Sequence, residues 1–183
     1  MEQVIRDCLA VRGESPGLLP LLEEGEESAV LTISDQLKAT LISQATEATL
    51  KADPLRLDEL KTLETVPKVE NEGWMKVRMP ADYLKLHTLR MSDWNEALTE
   101  VEPEGSLRRA LGANAPEWLI CRERPMVTEG RDTEGIYLKI YGSESGKAPA
   151  ELLYVPLPRL ENDTLVISEA AYSIFLSNWC ETR

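Results

Sequence analysis

The stretch Gly135-Ile136-Tyr137-Leu138-Lys139-Ile140-Tyr141 alternates in polarity. Ile136, Leu138 and Ile140 fall on one side of an extended chain, and Tyr137, Lys139 and Tyr141 on the other, which is the period of a half-buried strand. A helix does not produce that repeat.

Outward from this strand, the neighbouring segments keep the same character. Ala150 to Val155 is its expected partner, closed at an edge by Pro156 and Pro158. Between them Gly142-Ser143-Glu144-Ser145-Gly146-Lys147 reads as a hairpin loop. It has the outline of a phosphate loop but is one residue short, carries Ala148 in place of the magnesium-binding hydroxyl, and runs into Pro149, which stops a helix from opening there. Trp118 to Arg124 is a further strand. Thr65 to Val69 and Trp74 to Met79 flank Glu70-Asn71-Glu72-Gly73 and read as a hairpin. After a turn at Pro80-Ala81-Asp82, Leu84, Leu86, Thr88 and Arg90 alternate with Lys85, His87, Leu89 and Met91, a second half-buried strand. Ser92-Asp93-Trp94-Asn95 is a corner, because Ser, Asp and Asn side chains bond readily to nearby backbone amides. The chain returns over Ala97 to Val101.

At both ends the period lengthens. Val4, Ile5, Cys8 and Leu9 share a helical face within Glu2 to Val11, and Ile33, Leu37, Leu41, Ala45 and Ala48 share another. This second helix is expected to start near Ser34-Asp35 and to run to about Ala52. Asp53-Pro54 then caps a short helical piece. A short basic helix is expected at Leu107 to Leu111, stopped by Gly112. After Asp163 to Ile167, Ser168 caps a last helix with Glu169 in its first turn. The order is helices, strands, helix, so the fold class is α+β: a small helical body with an inserted antiparallel β lobe. The expected organisation is a single domain, helical over 1–61 and 168–183 and β-rich over 62–167.

Composition narrows the function. The chain has 183 residues and a formal net charge of −12, with 32 acids against 20 bases. Affinity for nucleic acid rests on clustered Lys and Arg, so the balance argues against a specific role on a phosphate backbone, and equally against an anionic membrane surface. Residues 1–30 hold seven acids and two bases, including the run Glu23-Glu24-Gly25-Glu26-Glu27, read as a solvated loop because it lacks the alternating ladder of a calcium loop. Cys8, Cys121 and Cys180 are an odd number without a C-x-x-C pair, which suits buried thiols in a reducing compartment. The opening residues lack a signal-peptide pattern, and no apolar run approaches a membrane span, so a cytoplasmic protein is expected.

No catalytic constellation is visible. His87 is the one histidine, without a second imidazole to share a metal, and its strand position points it away from the Leu84 and Leu86 face. Ser92 and Asp93 cannot reach both of its ring nitrogens in line, and no Gly-x-Ser-x-Gly elbow presents a nucleophile. Glu100 and Glu102 lie on one strand face, but a chain this acidic supplies such pairs by chance. We therefore expect no enzyme, cofactor, metal or catalytic residue. Arg108 and Arg109, with Arg122 and Arg124 nearby, form the main basic concentration, either a docking patch for an acidic surface or a partner for local acids. On the last helix Tyr172, Phe175, Leu176 and Trp179 form an apolar stripe, to be covered by the body of the domain or by another subunit.

Met79-Pro80-Ala81-Asp82-Tyr83-Leu84-Lys85-Leu86, Leu89-Arg90-Met91-Ser92-Asp93-Trp94, Tyr137 to Tyr141 and Leu153-Tyr154-Val155-Pro156-Leu157-Pro158 resemble, in that order, phage head-to-tail connector (adaptor) proteins, above all prophage-type forms carried by gut Bacteroidales. Those forms close with a helix that begins at serine and carries a tyrosine, as Ser168 to Tyr172 does, whereas Ala81 stands where they usually have an acid. The resemblance covers roughly residues 74–180. It implies a helical body with an inserted β lobe. It further implies a virion assembly protein that forms a ring of identical subunits between portal and tail, with the apolar stripe of the last helix as a possible subunit or portal interface. Within the motif Arg90, Ser92, Asp93 and Trp94 are expected to form a structural corner. An acidic wall would also repel passing DNA weakly rather than hold it. The alternative is a small acidic intracellular binding or inhibitor module that mimics DNA or blocks a basic partner.

Overall fold

A computed structural model describes residues 27–69, 74–102, 125–144, 146–161 and 164–181, with side chains described from 38 to 178 within them. The expected helices at Glu2 to Val11 and Leu107 to Leu111, the expected strand at Trp118 to Arg124, and Cys8, Cys121, Arg108, Arg109, Arg122 and Arg124 lie outside the described residues. So do the side chains of Trp179 and Cys180.

The described chain is a mixture of helices and antiparallel strands, the α+β class. It divides into two compact units, one of residues 1–59 with 157–183 and one of residues 60–156. The expected β lobe extends to residue 167. The boundary falls at Pro156 instead, because the strands that follow pack on a helix.

In the first unit, helix α1 spans Glu27–Lys51. It starts seven residues before the expected cap at Ser34. Ala29-Val30-Leu31 contains no breaker, so the helix extends past Ser34-Asp35, and a glutamate at its first position suits the positive end of the helix dipole. Leu41, Ala45, Ala48 and Ala52 are buried at helical spacing. A turn of 3-10 helix follows at Pro54–Arg56, its Asp53 cap accepting a bond from Leu55 N at 3.0 Å. Strands β8 (Arg159–Glu161) and β9 (Thr164–Val166) form an antiparallel hairpin. Helix α2 spans Glu169–Glu181. Ser168 Oγ accepts from Ala171 N at 3.4 Å, and Asp58 Oδ1 accepts from Glu169 N at 3.3 Å, so two side chains satisfy amides of its first turn. Phe175, with no exposed surface, packs among Leu41, Ala45, Ala48 and Leu165, with Leu160, Ile167, Tyr172, Ile174 and Leu176 around it. The small side chains of Ala45 and Ala48 leave room for its ring.

Among the described residues the second unit holds seven strands: β1 (Lys61–Thr62), β2 (Lys68–Val69), β3 (Met75–Arg78), β4 (Tyr83–Met91), β5 (Met126–Asp132), β6 (Gly135–Tyr141) and β7 (Pro149–Pro156). They form two sheets, ordered β1-β7-β4 and β2-β3-β6-β5. Segment 97–102 links the sheets: Leu98 exchanges backbone bonds of 2.8 Å with Leu89 of β4, and Glu102 N donates to Val127 O of β5 at 2.8 Å. One core serves both sheets, formed by Met75, Val77, Leu86, Leu89, Met91, Trp94, Val127, Leu138, Ile140 and Leu152 among others.

Two expectations are corrected here. Strand β6 pairs with β3 and β5, not with β7, which lies between β1 and β4. The loop 142–147 is therefore a crossover between sheets rather than a hairpin. In β4 the alternation breaks: Leu89 and Met91 are fully buried while Arg90 is exposed. Register shifts between Tyr83 and Lys85, Leu86 and Thr88, and Arg90 and Met91 move the side chains out of phase.

Candidate functional site: a strand corner and an aromatic–cationic sheet face

The corner after β4 works at long range in sequence. Trp94 N donates to Met91 O at 3.1 Å and Ser92 N to Ala148 O at 3.2 Å, which turns the chain. The Asp93 carboxylate bonds the crossover loop: Oδ1 accepts from Ser143 Oγ at 2.6 Å and Oδ2 from Glu144 N at 2.8 Å. Trp94 is buried, and its Nε1 donates to Gly142 O at 3.0 Å. Asp93 and Trp94 thus fix both the start and the middle of that loop. Ser92 and Arg90 are exposed, with Arg90 opposite Glu151 of β7. The aspartate of this corner thereby ties β4 to a loop distant in sequence.

On the outer face of the four-stranded sheet, β3 and β6 bring cations and rings together. Their registers place Lys76 opposite Lys139 and Arg78 opposite Tyr137. Trp74 and Tyr137 stack with centroids 6.5 Å apart and planes 17° from parallel. Lys76 Nζ lies 4.3 Å from the Tyr137 centroid and Lys139 Nζ 5.2 Å from that of Trp74, within cation–π range. Arg78 grips Asp132 with both terminal nitrogens, at 2.6 and 2.8 Å, and reaches Glu134 at 2.7 Å, while Lys76 meets Asp132 at 2.9 Å. The hydrogen-bonded Arg78 guanidinium, with Lys76 beside it, holds the Asp132 carboxyl far below the ordinary carboxylate range. Sequence reading did not find this face. Its signal was present in the lysines and aromatics at alternate positions of two strands, but their meeting depends on a register that the sequence does not display.

Two tyrosines anchor carboxylates elsewhere in this unit. Tyr154 Oη donates to Asp82 Oδ1 at 3.0 Å, and Lys61 Nζ bonds the other oxygen. That lysine chiefly lowers the Asp82 pKa, while burial first and Asp82 second push Tyr154 up to about 12. Tyr83 Oη donates to Glu129 at 3.0 Å, and burial raises its pKa well above the ordinary value. These are structural pairs in which a buried phenol remains protonated.

His87 is half-buried, with Nδ1 2.8 Å from Thr88 Oγ1 and no carboxylate bonded to its ring among the described residues. The expected apolar stripe of α2 is divided. Phe175 is fully buried, so within the folded unit it is core and cannot serve as an interface side chain, while Tyr172 and Leu176 are half-buried around it. Among the described residues no group of three or more His, Cys, Asp or Glu is placed to hold a metal ion, and no helix is long and apolar enough to cross a membrane. A comparison with known protein families and with curated proteins found no match to the chain.

Proposed function

We propose that this chain is a non-enzymatic structural protein of a phage or prophage, a head-to-tail connector adaptor that acts by ring assembly between portal and tail. The observation that carries the reading is the arrangement in sequence: a β unit of residues 60–156 interrupts a helical unit built from both ends of the chain. That is the arrangement implied by the family resemblance. The motif residues add support, since Met79, Tyr83, Leu86, Leu89, Met91 and Trp94 are all core of the β unit. Their roles are architectural, as expected of a protein whose activity lies in its surfaces. The alternative of a DNA-mimicking acidic module is less well supported, because Asp132 and Glu134 on the sheet face are matched by Arg78 and Lys76 rather than displayed as a phosphate-like row.

Native mass spectrometry of the full chain, alone and with the portal ring encoded by the same element, tests the proposal. A closed set of subunits bound on the portal is expected. Failure to bind any portal or tail protein of that element would refute it.

A further inference from the structure

We infer that the open edge of β7 at residues 148–151 is a docking groove for an extended segment of a partner protein, a short strand that carries lysine or arginine two residues from an aliphatic side chain. The pairing of β1 with β7 runs Lys61 opposite Tyr154 and Thr62 opposite Leu153, and Leu63 N continues it by donating to Leu152 O at 2.9 Å. The next hydrogen-bonded pair in that register is Thr65 with Ala150. No backbone bond joins them. On the other side of β7 the register steps from Arg90 opposite Glu151 to Met91 opposite Pro149, which leaves Ala150 as the extra residue of a bulge. Ala150 is exposed and, among the described residues, has no strand partner on either side.

Where the two chains part they border a groove of about 600 Å³, walled by residues 62–66 and 148–152, all within the β unit. A gap in an unfinished ladder suits main chain, because an added strand bonds the edge and lets pockets read its side chains. The open run of β7 extends over roughly 13 Å at 3.3 Å per residue, room for a short strand. Ala148 and Ala150 put little bulk in its way. Pro149, which has no N–H, and the bulge make the edge too short and irregular for indiscriminate pairing. Side chains therefore decide what binds.

Glu64 and Glu151 are the charged residues of the lining. Neither has an ion-pair or hydrogen-bond partner among the described residues. Arg90, opposite Glu151 across the ladder, makes no ion pair with it. Two unmatched carboxylates on one groove call for cationic side chains on the occupant. Glu64 and Val66 are exposed while Leu63 and Thr65 between and beside them are half-buried, so the glutamate and the valine share a face. Val66 is 77% exposed. A strand with a base beside Glu64 and an aliphatic side chain two residues on would meet both. The net charge of −12 opposes a second copy of this chain as that occupant.

Selection of random displayed peptides on the full chain, repeated on a variant combining Glu64→Gln with Glu151→Gln, tests this. Enriched peptides are expected to carry Lys or Arg two residues from Val, Ile or Leu, and to bind the double variant roughly tenfold or more weakly. Methylating the backbone nitrogens of alternate residues in an enriched peptide should abolish binding in one of the two phases and spare it in the other, as strand pairing requires and charge attraction alone does not. Amide exchange at Ala150 should slow in the complex. Far-UV circular dichroism reports folding, and the single exposed change Glu64→Gln serves if the double variant misfolds. Selection that yields no peptide dependent on Glu64 or Glu151, or binding indifferent to both methylation phases, would overturn the inference. Self-association of the native chain that is lost in the double variant would assign the groove to a second copy and overturn it equally. The groove does not rest on the adaptor reading, and none of these outcomes decides whether the chain binds a portal.

Discussion

The ring of Tyr137 occupies the space where a side chain on Gly130 would begin: a Cβ at position 130 would come within 2.6 Å of the ring's Cζ and hydroxyl oxygen. Gly130 and Tyr137 are direct partners across β5 and β6. The glycine is thus a seat for the aromatic ring, in a strand interior where glycine otherwise weakens the sheet. Gly130→Ala is expected to push the ring from its stack with Trp74 and to cost about 1–3 kcal/mol. In a Tyr137→Ala background the same change should be nearly neutral. Urea unfolding of the four proteins, with near-ultraviolet circular dichroism of Trp74, checks the coupling.

Removing the Asp93 carboxylate should free the crossover loop. Asp93→Ala leaves Ser143 Oγ and Glu144 N without their acceptor, at an expected cost of about 1–2 kcal/mol. Asp93→Asn keeps one acceptor oxygen and should lose about half as much. Faster amide exchange at Glu144 in both variants would locate the effect in the loop, and unchanged exchange there would disprove the assignment.

Phe175→Ala is expected to destabilise the helical unit by about 3–5 kcal/mol, because a fully buried ring leaves a cavity against Leu41 and Leu165. The measurement is chemical unfolding followed by helix content. A variant that kept native stability but lost assembly would return Phe175 to the interface role that its place on the stripe first suggested.

Stability should fall at both ends of the pH scale. The folded-state pKa values of Asp82 and Asp132 lie below the ordinary 3.8. Their contribution is present above that value and is lost as the pH drops through the folded pKa values. Tyr154 is raised from 10.0 to about 12 and Tyr83 is raised further. Their contribution is complete below pH 10 and declines above it, where the unfolded chain ionises first. Urea midpoints across pH should show both limbs, with Asp132→Asn flattening the acid one and Tyr83→Phe the alkaline one.

Strand β6 was legible because Leu138 and Ile140 face the core and Lys139 does not, so its pattern and its environment agree. Its neighbours were not. Sequence adjacency favours β7, whereas pairing with β3 and β5 depends on contacts far along the chain. Strand β5 escaped notice because Glu129, Arg131 and Asp132 are exposed and Gly130 interrupts the apolar pattern. In β4 three register shifts hid the burial of Leu89 and Met91 from a simple period-2 reading. The stripe of α2 was visible at once; that Phe175 is core follows from Ala45 and Ala48 opening a space for it, a matter of shape rather than polarity. The sheet face depends entirely on register, and periodicity within one strand cannot reveal it.

The β unit opens with β1 and closes with β7, and these strands are hydrogen-bonded neighbours, Lys61 opposite Tyr154 and Thr62 opposite Leu153. Its entry and exit therefore lie a strand spacing apart, roughly 4.8 Å. For the helical unit, joining its two halves through this insert carries the entropy of a short loop, since the ends of the long one are already fastened together. The β unit is in that sense a cassette: it can be exchanged, shortened or enlarged at its far loops with little effect on the two helices that it separates in sequence.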